Sequence, residues 1–269
     1  MTHRDDFAQV NGLRLHYVDW GTAGRPPLLL LHGLAVHARS WDHQAERLSA
    51  GFHVVAMDQR GHGDSDRPPP RDYATAHYVA DMVGIEDALG WRKMSVIGQS
   101  MGGHNGMLFA MDHPDRVERL VISDVEPVFR YDLLGPTRHA TELPVYARLE
   151  DLIEEYRRRA PNTDDATHRR RAEHATRALP DGRLTLKYDV NAPRNWDAVD
   201  LWPRLREIRC PTLVLRGEIS PVLRQEDAER MAATIPDCRL VVIPGAGHSV
   251  ASDNPDFFFD TVSRFLRQP

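Results

Sequence analysis

The segment Gly98-Gln99-Ser100-Met101-Gly102 decides the fold, because it joins an apolar run to a helical pattern. Residues 94–97 precede it and predict a buried strand, and residues 104–111 predict a helix. A serine between two glycines at such a reversal is typical of a nucleophile elbow, where small neighbours let the backbone turn sharply and raise the hydroxyl above the sheet. An ordinary Gly/Ser turn is the alternative, and the strand–turn–helix context favours catalysis.

Apolar runs and helical patterns alternate along most of the chain, which predicts a parallel sheet with helices on both faces. Asn11-Gly12 predicts an initial hairpin. Residues 125–206 differ, because they are rich in Arg, Glu, Asp and Ala with helical spacing. We therefore expect an α/β core of residues 1–124 and 207–269, with a helical insertion at 125–206. The predicted strands are 7–10, 13–18, 27–31, 53–58, 94–97, 119–124, 211–217 and 238–243, and the predicted helices outside the insertion are 41–48, 75–89, 104–111 and 257–266.

Charge and cysteine content narrow the function classes. The formal net charge of −5 gives no reason to expect nucleic acid as a partner. Cys210 and Cys238 form no C-x-x-C pair, so the sequence predicts neither a metal site nor a redox motif. Residues 1–6 lack an apolar stretch, and the longest apolar run, Leu28–Leu31, is too short for a bilayer. We expect no signal peptide, no membrane contact and a cytoplasmic location.

A serine hydroxyl needs a base to take its proton and an acid to orient that base. His248 is the candidate base, because it lies on a glycine-rich loop between the last predicted strand and the last helix; an ordinary surface-loop histidine is the alternative. Asp124 is favoured as the acid, because it ends a strand at the carboxyl edge of the sheet. Glu218 after the next strand is the alternative acid, Glu126 is the third candidate, and an aspartate such as Asp124 would also suit a helix N-cap.

Acyl transfer also needs N–H donors aimed at the oxygen that gains charge in the transition state. The residue after the nucleophile supplies one, which predicts the backbone N–H of Met101. The loop after residues 28–31 supplies the other, and we expect it from the backbone N–H of Leu34. Both residues would act through their backbones, so their apolar side chains are compatible with the role.

Four motifs in chain order resemble those of the α/β-hydrolase superfamily. They are His32-Gly33, residues 58–65 (DQRGHGDS), residues 98–103 (GQSMGG) and residues 245–248 (GAGH). The resemblance covers nearly the whole chain outside the insertion. It implies a mostly parallel eight-stranded sheet, with a helical cap between the sixth and seventh strands that corresponds to the insertion.

The sequence departs from the common superfamily pattern after the seventh strand, where many members carry the acid and Ser220 stands here. Members that carry it after the sixth strand, similar to 2-(acetamidomethylene)succinate hydrolase, share this departure, which favours Asp124. That similarity implies Arg159 as a substrate contact, although Ala160 replaces the aromatic hydroxyl expected beside it. Arg159 ends one arginine run and residues 169–171 form another, and we expect both runs to be solvated helix surface.

These residues predict a serine hydrolase that cleaves an ester or lactone through an acyl-enzyme. The expected partner is a small-molecule acyl substrate, with no cofactor or metal, and the expected state is a monomer or homodimer. Amide or C–C hydrolysis by the same triad is the alternative among enzymes, and a ligand receptor on a hydrolase scaffold is the alternative outside them. Dehalogenation is disfavoured, because it needs a carboxylate nucleophile where Ser100 stands.

Overall fold

The computed structural model describes residues 3–21 and 24–268 of the chain. Met1 and Thr2, which belong to the segment expected to lack a signal peptide, lie outside the described residues. The strands are β1 Arg4–Val10, β2 Leu13–Asp19, β3 Pro27–Leu31, β4 His53–Met57, β5 Met94–Gln99, β6 Val117–Ser123, β7 Val145–Tyr146, β8 Thr176–Ala178, β9 Leu184–Leu186, β10 Thr212–Gly217 and β11 Cys238–Ile243. The α-helices are α1 Asp42–Leu48, α2 Thr75–Ala88, α3 Met101–Asp112, α4 Leu149–Arg159, α5 Asp165–Ala175, α6 Asn191–Asn195, α7 Gln225–Thr234, α8 Val250–Asp253 and α9 Pro255–Leu266.

The large sheet has eight strands in the order β1-β2-β4-β3-β5-β6-β10-β11. β2 runs antiparallel to both β1 and β4, and the other neighbouring pairs are parallel. Asn11 and Gly12 both have positive φ, as a tight turn between twisted antiparallel strands requires, and they form the predicted hairpin. The predicted mostly parallel eight-stranded sheet flanked by helices is thus confirmed.

Both faces of the sheet are covered, because side chains alternate in direction along each strand. In β3, Leu29 and Leu31 belong to a core shared with α2, α3 and α7, whereas Leu28 and Leu30 belong to a second core shared with α1 and α9. Two-sided burial explains why β3 has a continuous apolar sequence rather than an alternating one. The carboxyl ends of these strands meet at one edge of the sheet, where the candidate site lies.

The segment between β6 and β10 contains both helices and strands. Helices α4 and α5 pack on each other through a small core of Leu152, Ile153 and Ala172. Beside them β7, β9 and β8 form a three-stranded antiparallel sheet, which the sequence did not predict. The ends of the segment are part of the main core, to which Val125 and Leu201 belong. The boundaries 125–206 of a cap unit therefore stay a prediction.

None of the helices in residues 3–21 and 24–268 combines the length and the apolar composition that a bilayer crossing requires.

Candidate active site

Ser100 lies on a strained turn between β5 and α3. Its φ of 53° and ψ of −121° fall outside the regions that L-residues favour, which costs on the order of 1–3 kcal/mol. The flanking glycines make the turn feasible. A Cβ on Gly98 would lie 2.3 Å from the carbonyl oxygen of Gly102, and one on Gly102 would lie 2.5 Å from that of Leu31. The strain and the close backbone approaches are those expected of a nucleophile elbow.

Ser100 and His248 border the same cavity, which has a volume of about 120 Å³. The Ser100 side chain is largely buried, and its residue exposure is 7%. Within residues 3–21 and 24–268, neither Ser100 Oγ nor His248 Nε2 makes a hydrogen bond. Both atoms are therefore available to a ligand or to each other, and catalytic hydrogen bonds of this kind often tighten only when substrate binds.

Asp124 orients the His248 ring. Its Oδ2 lies 2.7 Å from His248 Nδ1, and because a carboxylate only accepts hydrogen bonds, Nδ1 carries the proton and Nε2 keeps its lone pair. Asp124 is fully buried and has a positive φ of 51°, which turns the chain as it leaves β6. The Gly217 N–H donates to its Oδ1 at 3.0 Å, and the Ser220 hydroxyl donates to its Oδ2 at 2.5 Å. Three donors thus fix this carboxylate.

The two other acid candidates lie elsewhere. Glu218 is exposed, and its Oε2 accepts the N–H of Gly245 at 2.7 Å, which steadies the loop before His248. Glu126 is buried and pairs with Arg224 at 3.2 Å. Neither glutamate makes a hydrogen bond or ion pair with the His248 ring within the described part of the chain.

The two predicted N–H donors flank Ser100 in space. Met101 is the first residue of α3, so its N–H has no acceptor within the helix. Leu34 borders the cavity that contains Ser100, and its N–H makes no hydrogen bond to any described residue. Gly33 allows this loop to approach closely, because a Cβ there would lie 3.3 Å from the Ser100 Cβ. Both N–H groups are therefore free for a ligand oxygen.

Gln99 is a site residue that the sequence did not reveal. Its side-chain Nε2 donates to the carbonyl oxygen of His248 at 2.7 Å, and its Oε1 accepts the Ser123 hydroxyl at 2.6 Å. The amide thus links the strand before the nucleophile to the backbone of the candidate base. The only sequence signal was its place as the variable residue of the G-x-S motif, which carries no information about this contact.

Two residues between α4 and α5 hold the loop that carries the candidate base. The Asn162 side-chain amide donates to the carbonyl oxygen of Gly245 at 2.7 Å. The Thr163 hydroxyl donates to Asp253 Oδ1 at 2.7 Å, and Asp253 Oδ2 accepts the Gly247 N–H at 2.9 Å. Hydrogen bonds therefore connect the insertion to both ends of the segment Gly245–Gly247, which precedes His248.

Arginines in the insertion differ in how they are placed. Arg159, the predicted substrate contact, borders a second cavity of about 240 Å³, but its side chain is 71% exposed and pairs with Glu155 at 2.6 Å. Arg171 borders both this second cavity and the cavity that contains Ser100. Burial lowers the pKa of its guanidinium, which nevertheless stays charged because an arginine titrates far above neutral pH.

His16, Asp58 and Asp64 form the one group of potential metal ligands in the described residues. His16 Nδ1 bonds Asp58 Oδ2 at 2.7 Å, and Asp64 pairs with Lys187 at 2.8 Å. Burial opposes a charge on His16, but the hydrogen bond and charge of Asp58, the hydrogen bond to Asp5 and the charge of Asp64 together outweigh burial and raise the pKa of His16. The potential ligand atoms of this group are thus engaged with partners inside the protein.

Comparison with known proteins places this chain in a family. The family model described as "alpha/beta hydrolase fold" matches residues 26–255. The 2-(acetamidomethylene)succinate hydrolase of Mesorhizobium japonicum is 29% identical over 90% of this chain and 88% of its own length. The N-formylmaleamate deformylase of Pseudomonas putida is 30% identical over 97% of this chain and 95% of its own.

The likeness extends to three dimensions. The crystal structure of E-2-(acetamidomethylene)succinate hydrolase superposes with a TM-score of 0.91 at 26% identity, covering 99% of this chain and all of that one. The family match spans most of the chain, and these relatives cover nearly all of it. The chain therefore belongs to the α/β-hydrolase superfamily, and the prediction that it is a hydrolase is confirmed.

Proposed function

We propose that this protein is a serine hydrolase that cleaves an ester or lactone through an acyl-enzyme. Ser100 is the nucleophile, His248 the general base and Asp124 the residue that orients the base. One observation carries the proposal: His248 Nδ1 lies 2.7 Å from the buried Asp124 carboxylate, while the rest of the ring borders the cavity that contains Ser100. The three residues differ in chain position by up to 148 residues, so their assembly is a property of the fold.

In the first half-reaction His248 Nε2 takes the Ser100 proton as Oγ attacks the substrate carbonyl carbon. The carbonyl oxygen gains the negative charge, and the N–H groups of Leu34 and Met101 donate to it. Losing one such donor costs on the order of 10²–10³ in kcat in comparable sites. His248 then gives its proton to the departing alkoxide, and Ser100 remains acylated.

In the second half-reaction a water molecule replaces the alcohol. His248 accepts a proton from this water as its oxygen attacks the acyl carbon, and it returns a proton to Ser100 Oγ when the carboxylic acid leaves. Asp124 stabilises the charged imidazolium in both steps. The hydrogen bonds from Gly217 and Ser220 keep its carboxylate in place, so that only His248 need move.

Amide cleavage by the same residues is the second candidate. It is favoured by the relative named N-formylmaleamate deformylase, which is 30% identical over nearly the full length of both chains. The chemistry differs in one respect: an amine leaves less readily than an alcohol, so proton donation from His248 to the leaving nitrogen becomes essential. A small-molecule substrate, a monomer or homodimer and a cytoplasmic location remain parts of the proposal.

The proposal is tested by covalent labelling and by turnover. A fluorophosphonate probe should label the protein at Ser100, as identified by peptide mass spectrometry, and Ser100→Ala should abolish both labelling and hydrolysis of p-nitrophenyl acetate and butyrate. Ser252→Ala is a matched control, because Ser252 borders the same cavity and has no assigned role. A panel with a lactone and an N-formyl amide ranks the bond types.

Particular outcomes would contradict the proposal. Full turnover by a folded Ser100→Ala variant would remove the serine mechanism. Labelling at Ser252 instead of Ser100 would show that Ser100 is not the nucleophile. A kcat/KM for the N-formyl amide well above that for every ester and lactone would replace the ester proposal with the amide one, while leaving the triad intact.

A further inference from the structure

The cavity that contains Ser100 adjoins a second cavity, and Arg171 borders both. Five residues border both: Leu34, Val36, Arg171, His248 and Ser249. The second cavity, of about 240 Å³, lies between the loop after β3 and helices α4 and α5. A substrate whose carbonyl lies at Ser100 therefore has space for a further arm, and Arg171 stands where the two spaces meet.

Arg171 carries a charge that no described residue neutralises. Within residues 3–21 and 24–268, no carboxylate lies within 4 Å of its guanidinium, and its side chain makes no hydrogen bond. The ring of Tyr156 lies beside it, with its centroid 5.7 Å from the guanidinium carbon. Three other arginines of α4 and α5 have acidic partners, since Arg157 pairs with Asp165, Arg159 with Glu155 and Arg169 with Glu150. Arg158 and Arg170 have no ion pair with a described residue either, but neither of them borders the cavity that contains Ser100.

The acid whose charge acts on Arg171 is already engaged elsewhere. Asp253 raises the pKa of Arg171 through space, against the larger effect of burial. Both Asp253 oxygens accept other hydrogen bonds, from Thr163 and from the Gly247 N–H. It therefore has little capacity to turn toward Arg171 without releasing the loop that carries His248.

Other polar groups at the second cavity also lack partners. His37 and His168 both border it, with residue exposures of 4% and 1%, and each leaves its Nδ1 without a hydrogen bond. Their Nε2 atoms are used, on the carbonyl oxygens of Arg171 and Ala160. Because each Nε2 donates to a carbonyl oxygen, each Nδ1 is an acceptor, so these two rings are neutral neighbours of Arg171 that neither bind a carboxylate nor neutralise the guanidinium.

We propose that Arg171 binds a carboxylate of the substrate, which makes the preferred substrates acyl compounds that carry an acid group. This inference rests on the proposed function, since it places the scissile carbonyl at Ser100. A guanidinium presents two parallel N–H donors that match a carboxylate. A single unpaired arginine suits one carboxylate, whereas a phosphate dianion would call for more positive charge than this cavity offers. In this proposal the substrate contact is Arg171, whereas the resemblance implied Arg159, which borders the same second cavity.

Paired esters test the proposal. The first pair is p-nitrophenyl hexanoate and mono-p-nitrophenyl adipate, whose acyl groups have equal length and differ in a terminal carboxylate. The second pair, phenyl butyrate and 4-(butyryloxy)benzoate, places the carboxylate on the leaving group instead. For each pair the ratio of kcat/KM, anionic over neutral, is measured after subtraction of uncatalysed hydrolysis. The pair with the high ratio shows which arm of the substrate reaches Arg171.

Three variants test whether Arg171 is the residue that causes the preference for the anionic ester. Arg171→Met keeps the size and removes the charge, and it should lower the ratio about 10–100-fold, the value of hydrogen bonds to a charged group. Arg171→Lys keeps the positive charge but lacks the two parallel N–H donors of the guanidinium, so it should retain part of the ratio. Arg169→Met, on the exposed side of the same helix and paired with Glu150, should leave the ratio unchanged.

The outcomes separate this inference from the proposed function. A wild-type ratio near one in both pairs, or a ratio that survives Arg171→Met, overturns the inference while Ser100-dependent turnover keeps the function. If Arg171→Met does not fold, a high wild-type ratio that falls in Arg171→Lys supports the inference, and a ratio that Arg171→Lys leaves unchanged overturns it. If no ester is turned over, calorimetry of glutarate binding decides whether the site binds a carboxylate. Binding to the wild type that Arg171→Lys weakens supports the inference, and no binding to the wild type overturns it.

Discussion

Lowering the pH from 7 to 5 should destabilise this protein strongly, because four buried histidines resist protonation. They are His32, His37, His62 and His104, with residue exposures of 4% or less. Burial lowers their pKa values from 6.5 to about 4 for His32, His37 and His104, and to about 3 for His62.

Hydrogen bonding supports the direction of these shifts. His37, His62 and His104 each place one ring nitrogen on a backbone carbonyl oxygen, and the other nitrogen has no hydrogen-bond partner among the described residues. A second proton would therefore add a buried N–H with no acceptor. In His32 the Nε2 accepts the N–H of Gln59 at 3.0 Å, so protonation there would set two donors against each other.

The size of the effect follows from proton linkage. Between pH 6.5 and 4 the unfolded chain binds protons at these histidines and the folded chain does not, so stability falls as the pH falls through that window. At pH 5 each histidine costs about 2 kcal/mol relative to pH 7, and the four together cost on the order of 7 kcal/mol. Burial raises the pKa of Asp42 to about 6, and its proton uptake offsets this by about 1.4 kcal/mol.

The assay is urea unfolding followed by tryptophan fluorescence at half-unit steps between pH 7.5 and 5. His104→Gln should remove one titrating group and flatten the pH dependence by about a quarter, whereas His43→Gln, at an exposed histidine, should leave the slope unchanged. A free energy of unfolding that stays level from pH 7 to 5.5 would refute the reasoning, as would equal slopes for the His104 and His43 variants.

Three further predictions concern the residues around the proposed triad. Asp124→Asn should lower kcat about 10³–10⁴-fold through the wrong imidazole tautomer, whereas Glu218→Gln should cost less than about tenfold, and steady-state kinetics with p-nitrophenyl butyrate decides the ranking. Ser220→Ala removes one of the three donors to Asp124 and should reduce kcat by about tenfold with a folded protein, which circular dichroism checks. Gln99→Leu releases the carbonyl of His248, so kcat and kcat/KM should fall together by about tenfold, and a rise in KM alone would contradict a positioning role.

The fold could be predicted from the sequence, because its signals are local. A buried parallel strand needs a continuous apolar run, and a hairpin needs residues that tolerate positive φ, so β3 and the turn at Asn11-Gly12 were predictable. The strand predicted at 119–124 begins at Val117 instead. The prediction missed the first two residues because Glu118 is exposed and interrupts the apolar run there. Element ends depend on such single side chains, so small errors were expected.

The small sheet of the insertion was not predictable for a different reason. Strands β8 and β9 have three residues each, and β7 has two. Segments this short carry too few residues for an alternating pattern to be recognised. Their pairing depends on contacts with α4 and α5, to which Tyr146 and Leu186 contribute. Tertiary packing, rather than local propensity, forms this sheet.

The acid could be ranked from sequence but not decided. Asp124 and Glu218 both follow strands that end at the same edge of the sheet, so topology alone allowed either. Backbone conformation separates them: the positive φ of Asp124 accompanies its bond to His248, and the Gly217 N–H meets its carboxylate. A positive φ has only a weak sequence signal when the residue is not glycine, because aspartate adopts it more often than most residues but far less often than glycine.

The arginine run at 169–171 shows how far a charge pattern can mislead. The sequence suggested one solvated helix face, yet an α-helix turns by about 100° per residue, so positions 169 and 171 point about 200° apart. If Arg169 faces outward, where it pairs with Glu150, Arg171 must face inward. The structure agrees, since Arg171 borders both cavities beside Tyr156. Helical geometry therefore excludes a uniformly solvated run from the sequence alone, whereas only the fold shows that the inward arginine has no acidic partner within 4 Å among the described residues.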